Sequence, residues 1–108
     1  MENLTIIEKS GPNYILLEVH GRINSYTSAD LEKRMYEAIK ETNLVLDLSQ
    51  VTNISSSGIG IIIAAYNDSE DFKHKLFIMK PSEAVRLALE STGFSELFTV
   101  IYSLTEVI

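Results

Sequence analysis

Apolar positions in this chain come in blocks, and their spacing switches between strand and helix periods. Leu4 to Glu8 and Tyr14 to His20 are rich in β-branched and aromatic residues and read as strands. The turn cluster Gly11-Pro12-Asn13 between them predicts a hairpin, and Gly21 ends its second arm. Leu31, Met35, Ala38 and Ile39 then recur at helical spacing, with Lys33, Arg34, Glu37 and Lys40 on the other faces. Thr27 or Ser28 supplies a cap, and Asp30 and Glu32 sit in the first turn, where carboxylates oppose the positive end of the dipole. Leu44 to Leu48 is nearly continuous apolar sequence, as in a strand buried on both faces.

The run from Ile59 to Tyr66 is harder, because isoleucine favours strands. A strand would leave both faces apolar, whereas a helix gathers Ile59, Ile62, Ile63 and Tyr66 on one side. Ala64-Ala65 and the serines ahead of Gly58 favour the helix, with Ser56 or Ser57 as its cap. Leu76 to Lys80 reads as another buried strand, stopped by Pro81. Ser82 caps a helix whose Val85, Ala88 and Leu89 share a face. Gly93 fits its C′ position, with Phe94 covering Leu89 as in a Schellman motif. Val100 to Tyr102 is a short strand, and Ser103-Leu104-Thr105-Glu106 matches a capping box that opens a last short helix. Strands alternating with helices after a hairpin predict an α/β layer with a mostly parallel sheet.

The length of 108 residues suits a single domain spanning 1–108, and no Pro- or Gly-rich linker divides it. The formal charge of −6 repels phosphate backbones, and the nearest basic cluster, Lys73-His74-Lys75, follows Asp68, Glu70 and Asp71. Nucleic-acid binding is therefore disfavoured. The N-terminus lacks the pattern of a signal peptide, and no apolar run approaches the ~20 residues of a membrane span, so a cytoplasmic protein is expected. With no cysteine, disulfides and thiolate metal sites are excluded.

Conventional chemistry finds little purchase. His20 and His74 lie on different elements and form no ligand pair, so neither a metal nor another cofactor is expected. His20 reads as a strand-end residue and His74 as solvated. Gly58-Ile59-Gly60 lacks the third glycine of a dinucleotide fingerprint, since position 63 is Ile63. Asp47 reads as a strand-end acid that orients the following loop, and no histidine is placed to serve a serine as base. An enzyme is not expected. What stands out is Asp47 to Gly60, a strand, a polar loop, and Ser55-Ser56-Ser57 at a helix start. A helix N-terminus offers free N–H groups and a positive dipole end to an anion. One cap explains one serine, not three.

This segment resembles the signature of the STAS domain family, and within it that of bacterial anti-sigma factor antagonists. The resemblance rests on Asp47, Leu48, Ser49, Val51, Ile54, Ser56, Ser57, Gly58, Ile59 and Gly60. Gly21-Arg22-Ile23, Leu89 to Phe94, Leu97-Phe98 and Thr105-Glu106 extend it over nearly the whole chain. It implies a mixed, mostly parallel sheet of four or five strands with helices packed mainly on one side. It also implies regulation by partner switching. The unphosphorylated antagonist binds an anti-sigma factor that is also a serine kinase, phosphorylation releases it, and a serine phosphatase resets it. The family's phosphoserine maps to Ser56, with Ser57 and Ser55 as alternative acceptors. Asn24, Ser55, Ser56, Ser57, Gly58 and Ile59 map to the partner surface. Two family carboxylates are absent here, replaced by Ser55 and Asn24. The alternative function is that of a STAS adaptor in a stressosome-like or sensory complex without phosphorylation.

Overall fold

The computed structural model describes residues 4–107. Five strands, β1 (Thr5–Ser10), β2 (Tyr14–Ile23), β3 (Asn43–Ile54), β4 (Leu76–Met79) and β5 (Thr99–Ile101), form one sheet in the order β1-β2-β3-β4-β5. The first pair is antiparallel, the predicted hairpin, and the other three are parallel. The helices α1 (Ser28–Glu41), α2 (Ser56–Phe72) and α3 (Glu83–Thr92) make the crossovers, and short 3-10 turns cover Ser95–Leu97 and Leu104–Glu106. Each parallel strand is added on the same side of its predecessor. Right-handed crossovers then place all three helices over one face of the sheet. The mixed, mostly parallel layer expected from the sequence is the architecture observed.

Side-chain alternation divides the core accordingly. Leu17, Val19, Leu44, Leu46, Leu48, Leu76 and Ile78 meet Leu31, Met35, Ile39, Ile59, Ile62, Val85 and Leu89 of the helices in the main cluster. Leu16, Val45, Phe77, Met79 and Ile101 belong to a second cluster, packed by Tyr14, Leu104 and Val107. The Asn13 side chain ties this covering to the hairpin turn by donating to the Val107 carbonyl at 3.0 Å.

Several local expectations are corrected. Gly21 does not end β2. It adopts φ 115, the register with β3 shifts beside it, and the strand continues to a fully buried Ile23. Asp47 is not at a strand end either, because β3 runs on for seven more residues to Ile54. The first 3-10 turn follows Phe94, which stays exposed. Its N–H donates to the Thr92 hydroxyl instead of closing a Schellman motif, although Gly93 does take the left-handed conformation. Thr27 occupies the cap position of α1 without capping it, since its hydroxyl donates to the Arg22 carbonyl at 2.7 Å. The predicted caps at Ser82 and Ser103 are both present, the latter as a full capping box.

Candidate functional site

The three serines lie where β3 hands over to α2. Ser55 finishes the β2–β3 ladder, its N–H donating to the Ile23 carbonyl at 2.9 Å. That fixes it in extended geometry, φ −88 and ψ 173, which is the conformation of a helix cap. Its Oγ accepts from the Gly58 N–H at 3.2 Å, and its carbonyl accepts the first helical bond, from Ile59, at 2.9 Å. The cap is therefore Ser55, not Ser56 or Ser57. No capping box marks it, because the third helical position is Gly58, and sequence alone could not choose among the serines.

Sharing the cap leaves the three hydroxyls unequal. Ser57 Oγ lies 2.8 Å from Ser55 Oγ, in hydrogen-bond contact. Ser56, exposed at the first helical position, is the one of the three whose hydroxyl has no partner among the described residues. With the Gly58 and Ile59 N–H groups engaged, those of Ser56 and Ser57 remain open to an anion. No Asp, Glu, Lys or Arg occurs from Leu48 to Asn67, so this segment contributes no formal charge, and the nearest charged register partner is the exposed Arg22, opposite Asn53. The clearly displaced titration among the described residues lies ten residues further along α2. There the Tyr66 phenol is raised above its ordinary value, first by its hydrogen bond with Glu70.

Capping energetics give a direct test. Ser55→Ala is expected to lower stability by about 1 kcal/mol, and Ser55→Asp to preserve it, in urea denaturation. Equal stability of parent and Ser55→Ala would remove Ser55 from the cap.

The β2–α1 loop stands beside this turn, since Ile23 and Ile54 are register partners. Asn24 Oδ1 accepts from the Tyr26 N–H at 2.8 Å and the Thr27 N–H at 3.2 Å. Aspartate would make the same turn and the same cap. The two departures from the family pattern thus keep the acceptor oxygens and remove the charges. Tyr26, which sequence reading passed over, stands 95% exposed on this pinned loop. No periodicity or motif marks it.

The two glycines of the segment differ. A Cβ on Gly58 would lie 2.7 Å from Ile54 Cγ1, 2.8 Å from Ile23 Cγ2 and 3.0 Å from the Ile23 carbonyl oxygen. Only glycine lets α2 start this close to β2. A Cβ on Gly60 would meet nothing within 4 Å. Gly58→Ala should cost about 1–3 kcal/mol by overpacking, while Gly60→Ala should stabilise the helix by about 0.5–1 kcal/mol. Chemical denaturation of both variants checks the opposite signs.

The remaining candidates lie apart from the serines. Asp47, half-buried in mid-strand, accepts through Oδ1 from the Ser49 N–H at 3.0 Å and the Ser49 hydroxyl at 2.7 Å. That local role replaces the expected orientation of the loop. His20 pairs with Thr5 within the hairpin. His74 is half-buried, not solvated, with Nδ1 hydrogen-bonded to the Ile39 carbonyl near the end of α1. Among the described residues no group of three His, Cys, Asp or Glu is placed to hold a metal. No helix among them is long and apolar enough to cross a membrane.

The serine turn thus lies at the carboxyl end of the parallel strands β2 and β3, at the start of α2, with open helix N–H groups. The STAS domain model matches residues 5–107, and the chain belongs to that family. Among similar proteins, an anti-sigma-B factor antagonist of Listeria monocytogenes is 24% identical over 101 residues, covering 91% of this chain and 89% of the relative. An anti-sigma factor antagonist from Mycobacterium paratuberculosis shares the fold with a TM-score of 0.83 at 23% identity, covering 95% of this chain and 89% of that one. The Bacillus cell fate determinant SpoIIAA, solved in its phosphorylated form, gives 0.73 at 12% identity, over 95% and 96% of the two chains.

Proposed function

We propose that this chain, acting as one STAS domain in the cytoplasm, is an anti-sigma factor antagonist that works by partner switching. In its unphosphorylated state it binds an anti-sigma factor with serine kinase activity. Phosphorylation of Ser56 ends that complex, and a serine phosphatase restores it. The observation that carries this reading is Ser56 itself, an exposed hydroxyl with no partner among the described residues, on the first turn of a long helix in a segment without formal charge. The names of the Listeria and Mycobacterium relatives support the class, and the phosphorylated state described for SpoIIAA supports a covalent switch. The chain itself then needs no catalytic group and no cofactor.

Purification from the native cell, with mass spectrometry of both the bound protein and the phosphosite, tests this. An anti-sigma factor bound to unmodified chain, and phosphate on Ser56 in the unbound pool, are expected. Phosphate confined to Ser57 or Ser55 would move the switch to a neighbouring hydroxyl. A large assembly holding chain that is never phosphorylated would replace the proposal with the adaptor function.

A further inference from the structure

Among the described residues the sheet ends on one side at β5, whose sole strand neighbour is β4. The Lys80 N–H donates to the Ile101 carbonyl at 3.0 Å, so the backbone groups of Ile101 face inward. By alternation those of Val100 face outward, unpaired by any strand. Five of the eight exposed large hydrophobic residues fall in the segment from α3 to just past β5: Leu87, Phe94, Leu97, Val100 and Tyr102. Val100 and Tyr102 line a groove of about 300 Å³ against α3, whose lip carries Arg86 and Glu90. Tyr102 is 65% exposed.

We propose that this edge is a homodimer interface, with β5 pairing antiparallel to β5 of a second copy across a two-fold axis at Val100. Two features of the edge favour a second copy of this chain. First, Val100 presents one outward N–H and one outward C=O. An antiparallel copy returns the same two groups in the opposite order, and the pair exchanges two hydrogen bonds. The pairing must be short, because the Tyr102 N–H is already taken by the Glu106 carboxylate at 2.8 Å and the Phe98 N–H by the Ser95 carbonyl. Second, Arg86 and Glu90 are an i,i+4 pair, 3.5 Å apart and about half exposed. A two-fold reverses their order, so the cation of each copy can face the anion of the other. The edge is thus self-complementary in charge, although each chain carries −6 overall. This dimer would use the edge strand, leaving the serine turn to the partner of the proposed function.

Sedimentation equilibrium of the full chain from micromolar to millimolar concentration tests the proposal. A reversible monomer–dimer equilibrium is expected. Val100→Lys should abolish it without changing the melting curve, because a charged edge residue blocks pairing while remaining solvated. Arg86→Glu and Glu90→Arg should each weaken self-association at low salt. Mixing the two variants should yield a heterodimer in excess of either homodimer, since every facing pair is then opposite in sign. A parent that stays monomeric to millimolar concentration overturns the proposal. So does a dimer that survives Val100→Lys, or a variant mixture with no heterodimer excess.

Discussion

Ile62→Asp is expected to unfold the protein, or to lower its melting temperature by roughly 20 °C. Ile62 is 0% exposed in the main core, on the side of α2 that also buries Ile59 and Ala65. Replacing it removes about 2–3 kcal/mol of apolar burial. It also places a carboxyl where no cation is available among the buried residues, which costs several kcal/mol more, whether the group ionises or takes up a proton. A chain of this size has about 5–15 kcal/mol of total stability, so the loss is a large fraction of it. Ala64→Asp, on the exposed side of the same helix, should change little and serves as the control. If Ile62→Asp melts like the parent, α2 does not face the core as described.

That prediction depends on reading Ile59 to Tyr66 as helix, and the reading was possible because helical spacing gathers Ile59, Ile62 and Ile63 where strand alternation does not. The structure extends α2 to Phe72, through Asn67, Asp68, Ser69, Glu70 and Asp71. Those polar residues carry no strong helix signal of their own, and only Ser69 among them is buried. The mostly parallel sheet was legible because strands alternate with helices after a hairpin, whereas helices mainly on one side were implied only by the family resemblance, and the strand order came from the structure. The details that escaped were those decided by tertiary contact. Gly21 looks like a strand end but supports a register shift within a continuing strand, because β3 lies alongside to hold it. Ser55 became the cap because the Ile23 carbonyl fixes its backbone, a contact between residues 32 positions apart. The Asn24 turn and the exposed Tyr26 depend likewise on how the β2–α1 loop settles against Thr27.

Ser56→Asp is expected to weaken binding to the anti-sigma factor by roughly a hundredfold, while Ser56→Ala binds at least as well as the parent and both stay folded. The reasoning separates the free chain from the complex. In the free chain, a phosphate on Ser56 adds about −1.5 to −2 charges beside open helix N–H groups and the positive end of the α2 dipole, which tolerate an anion. The carboxylates that resemblance would place at positions 24 and 55 are absent, so nothing in the adjoining turn repels it. Fold stability should therefore barely change. In the proposed complex, where the partner would meet an unmodified hydroxyl, the same charge would have to lose water at the interface. About 3 kcal/mol of uncompensated desolvation and repulsion is enough for the hundredfold loss. Aspartate carries less charge than phosphoserine and fewer acceptor oxygens, so the phosphorylated chain should bind more weakly still. Calorimetric titration of the purified anti-sigma factor with parent, Ser56→Ala, Ser56→Asp and enzymatically phosphorylated chain measures all four affinities. Equal affinities across the series would show that the switch does not act at Ser56. A parallel loss of thermal stability in Ser56→Asp would show that the charge acts on the fold instead of the interface.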